Sequence, residues 1–278
     1  MATQAESSGF LRHIRACRNA ELPGGRLPFG IGAAQVGWVR PALAQALAAW
    51  PVVARRGGAV VLDDAAALPG IARALAEAGH YRWRNEAFDV RATRGGPMLA
   101  VLDRGAIPSF GVVAVGVHLN GLVRRPDGLH VWIARRAADK LLDPGKLDHI
   151  TAGGVPAGLT PEQTLIKEAE EEAAIPPSVA GRARQVATIG YAMERPEGLR
   201  RDLLHCYDLD LPADFVPRAA DGEVEAFELW PVAQVMQRVR DTDEFKFNVN
   251  LVLIDLFLRE GLIPGHEADC VRQALDAA

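Results

Sequence analysis

The sequence has no basic excess, no paired cysteines, no long apolar run and no glycine-rich nucleotide loop, and each absence removes a class of function. Lys and Arg number 31 against 35 Asp and Glu, a formal net charge of −4. Such a chain has no surplus of cations for a phosphate backbone, so nucleic acid is not an expected partner. The three cysteines, Cys17, Cys206 and Cys270, are far apart, odd in number and never arranged as CxxC. That excludes a disulfide framework and a zinc knuckle, and a reducing cytoplasm is the expected compartment. The opening "MATQAESSGFLRHIRACRNA" has no long apolar core. No later run approaches the roughly 18 apolar residues of a membrane span, so an unexported chain with no membrane partner is expected. "GGRLPFGIGAAQVGWV" (24–39) has neither GxGxxG nor GxxxxGK spacing and reads as turn and strand. There is no internal repeat and no low-complexity tract.

What is present is an ordinary globular composition, 49% hydrophobic and 24% charged, over 278 residues. That length suits one large or two modest domains, and two are expected. Apolar residues at helical spacing mark helices in 41–51 and 65–81, and "GGAVVLDD" (57–64) and "PMLAVLDRG" (97–105) read as short strands. Residues 1–105 therefore make a smaller α+β domain with no chemistry that can be named. From Phe110 the texture changes to strands separated by polar turns: 110–121, 129–136 after the turn "RRPDG", then 184–193, 200–211 and 223–232. Helices follow at 232–241 and 248–261, the second ending at a glycine suited to a C-cap. Residues 106–278 are the expected second domain. Trp132, His205 and Tyr207 lie at alternating strand positions and read first as core, with ring stacking by Trp132 the functional alternative.

One stretch carries chemistry. "AGGVPAGLTPEQTLIKEAEEEAAI" (152–175) puts five glutamates into eleven positions, directly after a loop rich in glycine. Thr160 suits an N-cap, Pro161 the first helical position and Gln163 the third, as in a capping box. On that helix Glu168, Glu171 and Glu172 fall at i, i+3 and i+4 on one face, while Glu170 points elsewhere. Ile166, Ala169 and Ala173 form the adjacent apolar stripe, leaving the three carboxylates along the exposed edge. Carboxylates this close repel unless neutralised, and a hard divalent cation such as Mg²⁺ is the usual partner of an all-oxygen cluster. A solvated acidic helix face remains the alternative on these residues alone.

The stretch resembles the Nudix box: glycine, five residues, Glu, seven residues, then Arg-Glu-aliphatic-x-Glu-Glu-x-Gly-aliphatic. "KEAEEEAAI" takes the second half, so the family's metal-binding glutamates match Glu168, Glu171 and Glu172, and the spacing back puts Gly153 at the leading glycine. Three positions depart: Lys167 stands for the arginine, Leu159 for the first glutamate and Ala174 for the late glycine. Lysine cannot reproduce the arginine's bidentate bond to a glutamate. The chain is similar over nearly its whole length to the Nudix domain fused to fungal thiamine pyrophosphokinase and to its plant and bacterial relatives, which also place a domain without assigned chemistry first. The similarity is strongest in "ARRAADKLLDPGKLDHITAGG" (134–154), in 200–229 and in "FKFNVNLVLIDLFLREGLI" (245–263).

The resemblance implies a Nudix α/β/α sandwich and Mg²⁺- or Mn²⁺-dependent hydrolysis of a small-molecule diphosphate by a monomer or homodimer. It points further to thiamine diphosphate analogues, damaged forms such as oxothiamine or oxythiamine diphosphate; a nucleoside diphosphate derivative such as ADP-ribose, NADH or an oxidised dNTP is the alternative. In relatives the general base comes from the box or a later loop, which makes Glu223 and Glu225 of "DGEVE" candidates, Glu225 preferred. Arg135, Arg136 and Lys140, together with Arg125 and Lys146, are candidate phosphate contacts, since guanidinium matches phosphate geometry and lysine supplies a point charge. Two rivals share the fold: isopentenyl-diphosphate isomerase, whose chemistry needs a cysteine for which only Cys206 is available, and a non-catalytic nucleotide sensor, which would not need all three ligands.

Overall fold

The computed structural model describes residues 8–219 and 222–277; positions 220 and 221 of the 200–229 stretch and residues 1–7 and 278 lie outside them. The strands before residue 105 and those after 112 lie in different sheets. In the first part, β1 (Leu27–Ile31), β2 (Ala34–Val39), β3 (Val53–Arg56) and β4 (Ala59–Leu62) form a four-stranded sheet in the order β2-β1-β4-β3. Helices α2 (Pro41–Leu47) and α3 (Leu68–Glu77) bury Leu43, Leu47, Leu68, Ile71 and Leu75 in the core built on this sheet. Strands β5 (Ala87–Val90) and β6 (Ala100–Asp103) pair as a separate antiparallel ribbon.

The second part is an α/β sandwich built on a seven-stranded sheet. Its main path runs β11 (Arg184–Arg195), β12 (Gly198–Asp210), β7 (Val113–Arg125), β8 (Gly128–Arg136), β13 (Val224–Pro231). The strand expected from Phe110 begins instead at Val113. Pro108 opens a short helix α4 (Ile107–Phe110), which ends at Gly111 with φ 56°, a left-handed conformation that glycine adopts without steric cost. Strands β7 and β8 pair only over 122–125 and 128–131 around the "RRPDG" turn. Beyond that they diverge, and β9 (Leu147–His149) on β8 and β10 (Thr151–Gly154) on β7 fill the wedge. The glycine-rich loop thus leaves from the middle of the sheet.

Period-2 burial decides which face each residue serves. Leu122, Val131, Ile133, Leu204 and Cys206 face one side, covered by α7 (Val232–Asp241), α8 (Val249–Arg259) and α9 (Gly265–Asp276). Val117, Leu119, Val123, Trp132, Tyr207 and Leu209 face the other, covered by α5 (Pro161–Ala173) and α6 (Pro177–Ala180). The core reading of Trp132 and Tyr207 matches these positions, whereas His205 is half-exposed. Cys206 is buried on the face away from α5, where no carboxylate of the box can meet it.

One element crosses the division at residue 105. Helix α1 (Gly9–Cys17) buries Phe10, Leu11, Ile14 and Cys17 against α7, α8 and α9, not against the first sheet. Arg18 then bonds the carbonyls of Ala274 and Leu275 at the end of α9. No helix among the described residues is long and apolar enough to cross a membrane.

Candidate functional site

Helix α5 starts as its sequence requires. Thr160 caps it, its hydroxyl accepting from the Gln163 amide at 3.2 Å while the Gln163 side chain accepts from the Thr160 amide at 2.9 Å. Pro161 fills the first position, where an amide would lack a partner anyway. The stripe on the sheet is Leu165, Ala169 and Ala173, a 4-residue repeat joined by Thr164; Ile166, expected within it, is only half-buried. Helix α5 ends at Ala174 with φ 53° and ψ 36°, so the position where the family pattern has glycine does adopt the left-handed conformation.

The stripe's rotation changes the status of the glutamates. They are not all at an exposed edge. Glu171 is half-exposed, the Glu168 side chain is 19% exposed, and Glu172 is buried at 7%. The Glu172 carboxylate accepts from the Ala152 amide at 3.0 Å. Burial, reinforced by the charges of Asp148, Glu168 and Glu223, drives its pKa well above the carboxylate range despite that bond. Burial also raises Glu168, with Glu171, Glu223 and Glu86 adding to the effect and Lys167 opposing it. Lys167 spans two members of the cluster, 2.5 Å from Glu171 and 3.8 Å from Glu168, so it partly serves where the pattern has arginine.

Gly153 lies against this cluster. A Cβ there would sit 2.6 Å from the Glu168 carboxyl carbon, so only glycine leaves that carboxylate its place. Oxygen ligands, crowding that raises their proton affinity and a backbone that admits no side chain fit a hard divalent cation.

The other sequence candidates separate into two groups. Glu223 is close enough to raise the proton affinity of both Glu168 and Glu172, and it pairs with Lys140. Glu225, preferred from the sequence, is exposed at the bulge where β13 loses register with β8. Arg136 is committed elsewhere: it binds Asp148 at 2.8 Å and the carbonyls of Asp143 and Leu142. Arg135 bonds the Gly145 carbonyl and, with Lys146, lines a shallow groove shared with Trp230 and Arg238. No box glutamate borders that groove.

Sequence reasoning missed a buried polar cluster beneath the box. His118 Nδ1 lies 3.0 Å from His149 Nδ1, and the ligand-type atoms of His118, Asp148 and His149 all fall within 4.8 Å of one another. That is metal-site spacing. Asp148, however, is balanced by Arg136 at 2.8 Å and Lys246 at 3.4 Å, so a cation there would enter a field that is already net positive. The signal in sequence was the pair Asp148-His149, whose partners His118, Arg136 and Lys246 come from β7, β8 and the segment before α8.

The loop after Gly153 docks on the N-terminal part. The Ala157 amide donates to the Ala87 carbonyl at 2.7 Å, the Gly158 amide to Asp89 Oδ1 at 3.2 Å, and the Phe88 ring occupies the space a Gly154 Cβ would need.

Known proteins share this arrangement in sequence. A family profile described as NUDIX domain matches residues 115–249, and one described as a domain of unknown function (DUF4743) matches residues 9–114. Nudix hydrolase 20, chloroplastic, of Arabidopsis thaliana is 42% identical over 203 residues, which is 73% of this chain and 51% of that protein. Nudix hydrolase 24, chloroplastic, of the same plant is 37% identical over 272 residues, 93% of this chain and 74% of that protein. The chain thus spans about half the length of the first and three quarters of the second. Among solved structures, DR0079 from Deinococcus radiodurans is 20% identical with a TM-score of 0.47, covering 60% of this chain and 97% of that one.

The expectation of a cytoplasmic protein is corrected by these relatives, both of which carry chloroplast names. Three free, scattered thiols exclude a disulfide framework without choosing among compartments. With a relative matched over most of both chains and the box carboxylates standing in register on one helix, the chain belongs to the Nudix hydrolase family.

Proposed function

We propose that this chain hydrolyses the phosphoanhydride bond of a small-molecule diphosphate, with Glu168, Glu171 and Glu172 beside Gly153 holding Mg²⁺ or Mn²⁺. The observation that carries the reading is Glu172, a buried carboxylate facing other carboxylates with one backbone amide as its hydrogen-bond partner. When bound, the cation supplies neutralisation of diphosphate charge and a more acidic water. The protein's own residues do the rest. Glu223, within electrostatic reach of Glu168 and Glu172, accepts the proton of the attacking water, whose oxygen joins phosphorus as the bridging bond breaks. Lys140 pairs with Glu223 and limits the positions its carboxylate can take.

For the substrate, the reading favours thiamine diphosphate analogues, the oxo and oxy forms, cut to the monophosphate. What supports it is the resemblance in residues 134–154, 200–229 and 245–263 to the Nudix domain of fungal thiamine pyrophosphokinase. The diphosphate is identical in intact and damaged cofactor, so discrimination has to come from hydrogen bonds to the altered ring. The test is kcat/KM for oxothiamine diphosphate, thiamine diphosphate, ADP-ribose and NADH, with Mg²⁺ and with EDTA. An advantage for the oxo form that EDTA abolishes is expected. A clear advantage for ADP-ribose or NADH defeats the thiamine reading alone, and turnover that survives EDTA defeats the metal reading as well.

A further inference from the structure

The N-terminal part touches the box through strand β5. Strand β5 meets the loop 154–158 through three successive residues: the Ala87 carbonyl takes the Ala157 amide, the Phe88 ring lies against Gly154, and the Asp89 carboxylate takes the Gly158 amide. These contacts differ in kind. The first resembles a rung of a β-ladder, the second is steric, and the third ends the loop two residues before the cap of α5. Phe88 is buried in the N-terminal core and carries Arg104 over its ring at 5.8 Å, so its position is set from behind. Asp89 is oriented from the other side by Arg91 at 2.6 Å. The opposite end of the loop is fixed by the Val155 amide on the Val115 carbonyl. Gly153, which leaves Glu168 its place, immediately precedes this clamped segment.

We propose that strand β5 of the N-terminal domain, through Ala87, Phe88 and Asp89, is a positioning element for the metal-holding box, and that this is what the domain does for the Nudix fold. The ladder of β10 on β7 holds Gly153 opposite Val117, and the clamp fixes the path of the chain from there to the cap of α5. A ligand set whose backbone wall is fixed binds a cation without ordering the loop at the moment of binding. Asp89 does not touch the cation or the substrate; it acts through the Gly158 amide. The charge of Glu86, the residue before β5, also acts on Glu168 and Lys167, so the segment leading into the strand lies within electrostatic range of the box.

This proposal rests on the box holding a divalent cation. It is tested on the full chain with Asp89→Ala and Asp89→Asn, whose amide oxygen can still accept from Gly158. Three readouts are compared: backbone hydrogen exchange across 154–160, Mn²⁺ binding by electron paramagnetic resonance, and thermal melting. Asp89→Ala is expected to speed exchange in that segment and weaken Mn²⁺ binding about tenfold, the scale of losing an outer support of a metal site. Asp89→Asn is expected to stay within threefold of wild type in both. General destabilisation would lower the melting temperature of both variants alike and raise exchange in other segments, and that result overturns the proposal. So does a loosened loop with unchanged Mn²⁺ affinity, or no change in exchange. Wild-type protein that binds no Mn²⁺ refutes both this proposal and the reading of the box, whereas wild-type binding unaltered in Asp89→Ala refutes the clamp alone.

Discussion

If the box holds a cation as proposed, Gly153→Ala separates stability from metal binding, because the added methyl group meets a side chain that can yield. The Cβ would lie 2.6 Å from Glu168 Cδ, 2.7 Å from Cγ and 3.0 Å from Oε1. Ordinary contact requires the carboxylate to retreat by roughly 1 Å, and Glu168, partly solvent-facing, has room to swing. Gly153 does not occupy the left-handed region, so alanine is not strained there. The displaced rotamer costs about 0.5–1.5 kcal/mol. Reduced freedom in the unfolded chain returns about 0.4–1 kcal/mol. The melting temperature of metal-free protein should therefore move by no more than about 4 °C for a chain of this size. Under the proposed reading of Glu168 as a ligand, however, its carboxylate is misplaced by about an ångström, which is worth about 100-fold in rate, or about 2.7 kcal/mol. The assay pairs thermal melting in EDTA with Mn²⁺ titration and kcat on the best diphosphate substrate. Near-wild-type kcat and Mn²⁺ affinity would refute the placement of Gly153 against a ligand; a large loss of stability would refute the claim that Glu168 yields.

Replacing Glu171 or Glu172 by Gln should lower kcat by more than about 100-fold, beyond the loss of an outer partner, while Glu170→Gln, on another face of α5, retains most activity in the same steady-state assay. Glu223→Gln should lower kcat more than Glu225→Gln in the same assay; the reverse order would return the base to Glu225. Ala174→Gly should stabilise the protein by roughly 0.5–1 kcal/mol in urea, since alanine at φ 53° carries the left-handed penalty that glycine lacks. Burial holds His149 neutral, lowering its pKa from 6.5 to about 4 against the opposing pull of Asp148. The unfolded chain then binds more protons between those values, so stability is full above pH 6.5 and falls as pH drops towards 4, by about 3 kcal/mol. His149→Gln should flatten that slope in urea melts at pH 7 and pH 4.5.

The parts of the site legible in the sequence are those with local causes. The cap of α5 follows from Thr160, Pro161 and Gln163, residues three apart that bond each other. The common face of Glu168, Glu171 and Glu172 follows from helical geometry. The burial of Glu172 does not, because it depends on the Ala152 amide arriving from β10 and on an apolar stripe rotated onto Leu165. Arg136 and Lys140 look like free cations when read along the chain. Their partners Asp148 and Glu223 lie 12 and 83 positions on, and only the fold brings them together. The clamp by β5 was hidden for the same reason, since nothing in "EAFDV" marks which loop will lie against it. The amphipathic pattern of α1 likewise announces a buried face without naming what buries it.

The docking of α1 has a consequence for how the chain is made. Arg18 reaches the Leu275 carbonyl 257 positions later, and Phe10 packs on Phe257 with ring centroids 6.1 Å apart. By contacts, the module of residues 27–110 stands between α1 and the helices α7, α8 and α9 that bury it. At about 5–20 residues per second, α1 waits on the order of tens of seconds for α8 and α9 to be synthesised. During that wait the inserted module can close its own core, while the apolar face of α1 has no native surface to cover it. Until α8 and α9 emerge, Phe10, Leu11 and Ile14 therefore stay without the surface that buries them in the finished fold.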